Sequence, residues 1–300
     1  MNLATVNLNL LVALDALLAE RHVTRAAARV GVTQSAMSNA LRQLRALFDD
    51  PLFVRGPRGV TPTPRALSLA EPVRRGLATL SEAFAEPTFD PASAERTVVL
   101  AASDYVELVL LPPLLARIAR EAPGVRLEVR PWGLHEVPDA LARGELDLVL
   151  GYFDRLPPRH RRERLFEERF VCLARRGHPR IRARLTLKAW VETPHVVVSE
   201  RDDGPTSVDR ALAARGLRRT IGVRVSHFLL VPSLVAKTDL VAAVSRRVAE
   251  PFAAPFGLRI FPPPIELPAG RVGMVWHERL DADPGHAWLR GVISDVAAHV

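Results

Sequence analysis

Five polar residues, Gln34, Ser35, Ser38, Asn39 and Arg42, recur at intervals that place side chains on one face of a helix. Arginine pairs with guanine edges, asparagine and glutamine with adenine, and serine with several bases, so such a face can read a DNA major groove. Residues 34–48 include no acidic side chain, whereas a face that meets only water commonly carries glutamate and lysine. Thr33 stands directly before the helix, where its hydroxyl can cap the first turn. Two further cations, Arg55 and Arg58, surround a glycine-proline turn and suit a narrow minor groove or the phosphates beside it.

A second set of candidates follows strand-like segments: Ser103, Asp104 and Tyr105, then Ser199 and Arg201, then His227 and Phe228. Residues just past strand ends line ligand clefts in alternating α/β folds. Arg201, with Arg246 and Arg247 in reserve, would meet a ligand carboxylate, while Asp104 would repel an anion placed beside it. His227 has a second reading as a helix cap or a core histidine satisfied by backbone. Catalytic constellations are missing. There is no phosphate-binding Gly-x-x-x-x-Gly-Lys and no Gly-x-Ser-x-Gly, Cys172 is the single cysteine, and His135-Glu136 is followed by Asp139 where a zinc motif needs histidine. No enzyme activity, cofactor or metal is expected.

The face at 34–42 needs a helix whose other side is buried, and Met37, Ala40, Leu41, Leu44, Leu47 and Phe48 supply that stripe. Upstream, Leu10, Leu11, Leu14, Leu17 and Leu18 predict a first helix ending near residues 21–23. Residues 26–30 predict a short alanine-rich second helix, with Thr24 as its N-cap and Gly31 as its stop. A short helix, a glycine turn and an amphipathic helix make a helix-turn-helix. Residues 52–55 and 60–61 predict two short strands, a wing. Ala66, Ala70, Val73, Leu77, Leu80 and Phe84 then step by fours and threes, a heptad seam that buries either against its own domain or against a second copy. Pro72 inside it predicts a kink or a late start. Glu86-Pro87-Thr88-Phe89-Asp90-Pro91 reads as a domain boundary.

Three hundred residues, 48% hydrophobic and 25% charged, suffice for two cores and exclude disordered and fibrous classes. The net charge of +8 is uneven: the first 65 residues hold eight arginines against four acidic residues, half the excess in about a fifth of the chain. The first twenty residues lack arginine and lysine, and no run approaches the roughly 18 to 20 apolar residues of a membrane helix, so a reducing cytoplasmic location is expected. Beyond residue 90, strands are predicted at 97–102, 125–129, 146–150, 170–173, 196–199, 221–225 and 240–244. Helices are predicted at 114–120, 137–142, 208–214 and 229–235, followed by a strand at 271–276 and a closing helix at 288–297. That alternation implies a mostly parallel sheet.

Residues 8–64 resemble the winged helix-turn-helix of LysR-type transcriptional regulators. The match rests on Ala26-Ala27, Val32-Thr33-Gln34-Ser35-Ala36-Met37-Ser38, Leu41 onward to Arg45, Asp50-Pro51-Leu52-Phe53-Val54-Arg55 and Pro62-Thr63-Pro64. Ser35 stands where many members carry proline, and serine still fits a helix start. Leu69-Ala70-Glu71-Pro72-Val73 and Ser103-Asp104 are similar to the subgroup of nodulation regulators and regulators of naphthalene, salicylate and nitrotoluene breakdown. The resemblance implies an α plus α/β chain: a winged helix-turn-helix at 1–65, a dimerising linker helix and hinge at 66–90, and a bilobal, periplasmic-binding-protein-like effector domain at 91–300. Lobe 1 would span about 91–168 and 274–300 and lobe 2 about 169–273, with crossings near Arg169 and Arg271. It supports Ser103-Asp104 and His227-Phe228 most among the effector candidates.

The implied function is sequence-specific DNA binding modulated by a small effector, an acidic aromatic by analogy. The implied partners are double-stranded DNA bearing an interrupted palindrome near promoters, the effector, RNA polymerase and further copies of the chain as homodimer or homotetramer, with no membrane. The competing reading is a cytosolic solute-binding or enzyme domain that uses the cleft, its N-terminal segment serving only oligomerisation. If Arg42 reads a base, Arg42→Ala weakens binding to the cognate duplex by about 1–3 kcal/mol and relaxes its specificity. Equal losses on cognate and random duplexes in equilibrium titrations would make it a phosphate contact.

Overall fold

In the computed structural model, which describes residues 6–56, 59–84, 88–131, 137–153, 156–199 and 204–300, the chain forms two compact units, residues 1–86 and 87–300. In the first unit, α1 (Asn9–Glu20), α2 (Val23–Val30) and α3 (Gln34–Phe48) enclose Leu10, Leu14, Leu17, Ala26, Met37, Leu41 and Leu44. Gly31, with φ of 71°, ends α2 in the left-handed conformation that a residue without a Cβ adopts at no cost. Thr24 is not the cap of α2. Arg21 closes α1 in a left-handed conformation and His22 is extended, so the chain has already turned and the helix starts at Val23.

The wing consists of β1 (Phe53–Gly56) paired antiparallel with β2 (Gly59–Pro62). Its root is over-determined. Leu52 is fully buried at a φ of 57°, a strained position for leucine, and Asp50 Oδ1 holds it by accepting from Leu52 N at 2.6 Å and Thr63 Oγ1 at 2.8 Å. Arg45 of α3 donates to the carbonyls of Pro51 at 2.8 Å and Phe53 at 2.9 Å, so the wing is bolted to the helix beside it. At the other side Val60 N donates to the Arg21 carbonyl at 2.9 Å. There Gly59 has φ of 139°, and a methyl group on it would overlap the Arg21 carbonyl.

α4 (Pro64–Phe84) starts at Pro64 and runs through Pro72, so the late start is not observed. Ala66 and Val73 of its seam are buried in the core of this unit, with Leu69 and Leu77 packed against it. Leu80 and Phe84, farther along the same seam, are 41% and 87% exposed.

The second unit has two sheets. The first contains β3 (Arg96–Ala102), β4 (Val125–Pro131), β5 (Leu148–Tyr152), β6 (His160–Glu168) and β12 (Gly270–His277), in the order β4-β3-β5-β12-β6. β3 is parallel to β4 and β5, and β12 is antiparallel to its neighbours. The second contains β7 (Phe170–Arg175), β8 (His195–Val198), β9 (Ile221–Val225), β10 (Val241–Ser245) and β11 (Leu258–Phe261), in the order β11-β7-β10-β8-β9. α5 (Asp104–Glu121), α6 (Val137–Arg143) and α11 (Pro284–Ala297) serve the first lobe; α7 (Leu187–Glu192), α8 (Ser207–Ala213) and α9 (Val231–Lys237) serve the second. α10 (Arg246–Ala253) serves both, because Val248 enters the first core and Ala249 the second.

The chain crosses between lobes at Arg169 and again over residues 262–269, so the returning strand starts at Gly270 and residues 270–273 join the first sheet, ahead of the return expected at 274. β6 was not expected from the sequence. It reads His-Arg-Arg-Glu-Arg-Leu-Phe-Glu-Glu, a charged edge strand held by its ladder with β12 and burying only Phe166 and Glu168. α5 begins ten residues before the expected helix because Pro112-Pro113 interrupts the pattern without ending it. Gly59→Ala is expected to destabilise the first unit by roughly 1–3 kcal/mol, by strain at this φ and overlap with the Arg21 carbonyl. A full-chain thermal midpoint equal to that of the wild type would show that the wing tolerates the methyl group.

Candidate functional site

α3 presents its polar face because the opposite stripe is sealed: Met37 and Leu44 have no exposed surface and Leu41 has 6%. Thr33 caps the helix, its Oγ1 accepting from Ala36 N at 3.2 Å. Thr33, Gln34, Ser35, Ser38, Asn39 and Arg42 are all exposed. They form a pre-ordered row in which Thr33 Oγ1 and Ser35 Oγ share a hydrogen bond of 2.9 Å, Gln34 Nε2 donates to Ser38 Oγ at 3.1 Å, and Arg42 donates to Asn39 Oδ1. Arg55 is exposed on β1. Arg58 lies outside the described residues. The charge of the face is cationic at Arg42 and otherwise carried by neutral donors and acceptors.

Between the lobes of the second unit lies a cleft of about 880 Å³, within the range of small-molecule sites. Its first-lobe wall brings Tyr152, Arg162, Arg164 and Arg271, and its second-lobe wall Phe170, Val197, Thr206, Arg210, Arg219 and Phe228. Arg164 is paired with Glu167 at 2.5 Å. Among the described residues neither Arg162 nor Arg271 has an acidic partner, and both are exposed. Arg219 is set into the wall with its side chain 3% exposed. It donates to Asp209 Oδ1 at 2.7 Å and Thr206 Oγ1 at 2.9 Å, and its Nη1 lies 3.4 Å from His195 Nδ1. Burial opposes the charge on Asp209, but the bonds from Arg219 and Thr206 outweigh it and hold the carboxyl down at about 2. Burial pushes His195 down to about 4, against its bond to the Trp190 carbonyl and with the Arg219 cation adding to the effect. His195 is therefore a neutral brace behind the wall.

Of the described effector candidates only Phe228 lines the cleft. Ser103 is buried as the N-cap of α5, its Oγ accepting from Val106 N at 3.4 Å. Asp104 accepts the backbone N–H groups of Phe228 at 3.1 Å and Leu229 at 2.8 Å, across the seam between lobes. Tyr105 is fully buried with its hydroxyl donating to Glu168 at 2.5 Å. Ser199 is half-buried, its N–H bonded to the Val225 carbonyl at 2.9 Å. His227 is exposed and caps nothing with its side chain, which excludes both alternative readings of it. Glu107 of α5 is pushed up by burial and then by the Asp104 carboxylate, with the nearby His227 a smaller opposing influence. Arg201 lies outside the described residues, and the reserves Arg246 and Arg247 are engaged by Glu250 and Glu168. The sequence pattern does not single out Arg162 and Arg271, which line this cleft. Arg271 is legible as a cation near the start of the returning strand, whereas the charged run of β6 carries no strand pattern that would place Arg162. Among the described residues no group of His, Cys, Asp and Glu is placed to hold a metal ion, and no helix is long and apolar enough to cross a membrane.

Residues 8–67 match the family described as "Bacterial regulatory helix-turn-helix protein, lysR family", and residues 91–298 match "LysR substrate binding domain". The chain is 38% identical over 291 residues to the HTH-type transcriptional activator NagR of Ralstonia sp, covering 97% of each. It is 35% identical over 298 residues to Nodulation protein D 1 of Sinorhizobium fredii, covering 98% of this chain and 92% of the other. The crystal structure of the probable transcriptional regulator PA0477 from Pseudomonas aeruginosa is similar at a TM-score of 0.66 and 37% identity over 98% of each chain.

Two of the buried histidines, His195 and His286, are pushed down to about 4, chiefly by burial. Unfolding lets each take up a proton below its ordinary value near 6.5, so stability present at pH 7.5 is lost as pH falls from about 6.5 towards 4. We expect roughly 2 kcal/mol per histidine between pH 7.5 and 5.0 in denaturant titrations, with His195→Gln removing about half of the slope. A pH-independent midpoint would show that these histidines are not held neutral.

Proposed function

The chain belongs to the LysR family of transcriptional regulators, and on that premise we propose that α3 enters the major groove with Gln34, Ser35, Ser38, Asn39 and Arg42 towards base edges. Thr33 would support the approach at the helix start, and Arg55 with Arg58 would follow the neighbouring minor groove or phosphates. The observation that carries this reading is the pairing of a sealed Met37, Leu41 and Leu44 stripe with an exposed, acid-free, hydrogen-bonding face. The open half of the α4 seam, Leu80 and Phe84, would be covered by a second copy, placing two recognition helices over the half-sites of an interrupted palindrome. Tetramers, contact with RNA polymerase and a cytoplasmic location fit the same reading.

The cleft would hold the effector. Arg162 and Arg271 meet an acidic group, while Phe170 and Phe228 offer an apolar surface, which favours a small aromatic acid. Ser103, Asp104 and Tyr105 would support that site through the seam rather than touch the ligand.

Two experiments test this. Purified protein should protect two half-sites in the DNA flanking its own gene, and a chain lacking residues 1–65 should protect none; retained specific protection by the truncated chain would sink the assignment. In a thermal-shift panel of aromatic carboxylic acids, at least one should stabilise the wild type, by about 2.7 kcal/mol at a hundredfold excess over Kd, and the Arg162→Ala, Arg271→Ala variant should lose that response. An unchanged response in the variant would move the effector out of this cleft.

A further inference from the structure

Consecutive residues at the start of α5 tie the two lobes together. Asp104 reaches across to Phe228 N and Leu229 N, and Tyr105, buried beside it, donates its hydroxyl to Glu168 Oε2 at 2.5 Å. Glu168 is the last residue of β6, directly before the chain leaves the first lobe, and it has no exposed surface. Its other bonds come from the crossing itself and from α10: Arg169 N donates to Oε1 at 2.8 Å and Arg247 Nη1 to Oε2 at 3.0 Å. Arg247 sits on α10, the helix shared by both cores. It also bonds the carbonyls of Glu167 at 3.2 Å and Val300 at 2.8 Å and lies 4.7 Å over the Phe166 ring.

A buried carboxylate is costly unless fully bonded, and a well-packed apolar cluster would hold two lobes together as firmly. What the carboxylate adds is direction. Donors from α5 of lobe 1, from the crossing and from the shared helix α10 can converge on it at one relative setting of the lobes, and any rotation strands a buried charge. The Tyr105 ring carries this knot to the cleft, stacked at 6.3 Å on Tyr152 and tilted at 5.8 Å against Phe228, both of which line it.

We propose that Glu168 is a positioning residue: through Tyr105 and Arg247 it pins the angle between the lobes, and through the Tyr105 ring it registers what occupies the cleft. The pin stands on the seam geometry, while its link to occupancy rests on the cleft being the effector site.

Hydrogen exchange on the ligand-free full chain tests the pin without any effector, so its outcome is independent of that site assignment. The reporters are the amides of Phe228 and Leu229, which bond Asp104 and not Glu168. In Glu168→Gln one carboxylate oxygen becomes an NH2 group that faces donors, and the seam amides should exchange at least tenfold faster. Amides in β3 and β10 should stay within twofold of the wild type. Tyr105→Phe keeps the ring and removes one bond, and should accelerate the same amides severalfold. It decides the matter if Glu168→Gln fails to fold. Seam amides exchanging at the wild-type rate would overturn the proposal, as would acceleration spread evenly over β3 and β10, which would make Glu168 a stability residue only.

Discussion

Met37, Leu41 and Leu44 are sealed in the first core, and that burial fixes the rotation of α3 about its own axis. A helix with one apolar stripe has one low-energy azimuth, so the residues on the far side point outward whether or not DNA is present. Each other feature of the first unit refines this setting. Thr33 defines where the helix starts, the Gly31 turn aims it, and Arg45 with Asp50 clamps the wing beside it. The exposed polar face of α3 is thus what burial leaves over, ordered without any partner, and as a proposed reader of DNA it would be spared the ordering cost that a flexible one meets on binding.

The same constraint shapes the second unit differently. β3 and β5 are largely buried on both faces, so in the first lobe contacts with a ligand must come from edges and strand ends, while in the second lobe Ala243 of β10 and Val197 of β8 also line the cleft. The cleft therefore draws on β6, a charged edge strand, on the start of β12 and on the approaches to α8 and α9. Arginines of two kinds result. Arg219 is internally paired and stiffens the wall, while Arg162 and Arg271 face the cleft without an acidic partner among the described residues and give it its charge. The polar seam through Asp104 and Glu168 holds the walls in register, so the sensing unit combines a rigid frame with a cationic opening.

The sequence made the first unit legible because its helices are amphipathic and its turns carry glycine. The α3 stripe, the Thr33 cap, the Gly31 stop and the wing strands all follow from local pattern; Thr24 was misplaced because the chain's turn at Arg21 and His22 is set by tertiary packing. The parallel strands of the second unit read clearly as short apolar runs. β6 did not, since an edge strand can be charged throughout and still be held by its ladder. The effector candidates show a deeper limit. Position at a strand end does not say whether a side chain turns towards the cleft or towards the seam, and the partners that decide it are far away in sequence, 63 residues between Tyr105 and Glu168 and 124 between Asp104 and Phe228. Ser103 and Asp104 do chemistry, but it is the chemistry of helix capping and lobe attachment.

As a recognition helix, α3 would have to discriminate between bases with its exposed face. Selection of bound duplexes from a random pool by the full-length protein and by Asn39→Ala tests it most directly. The expected result is an enriched motif of two inverted half-sites for the wild type, and for the variant the same motif with the preference lost at one symmetric position. The contradicting result is no enriched motif, or one that Asn39→Ala and Arg42→Ala both leave unaltered at every position.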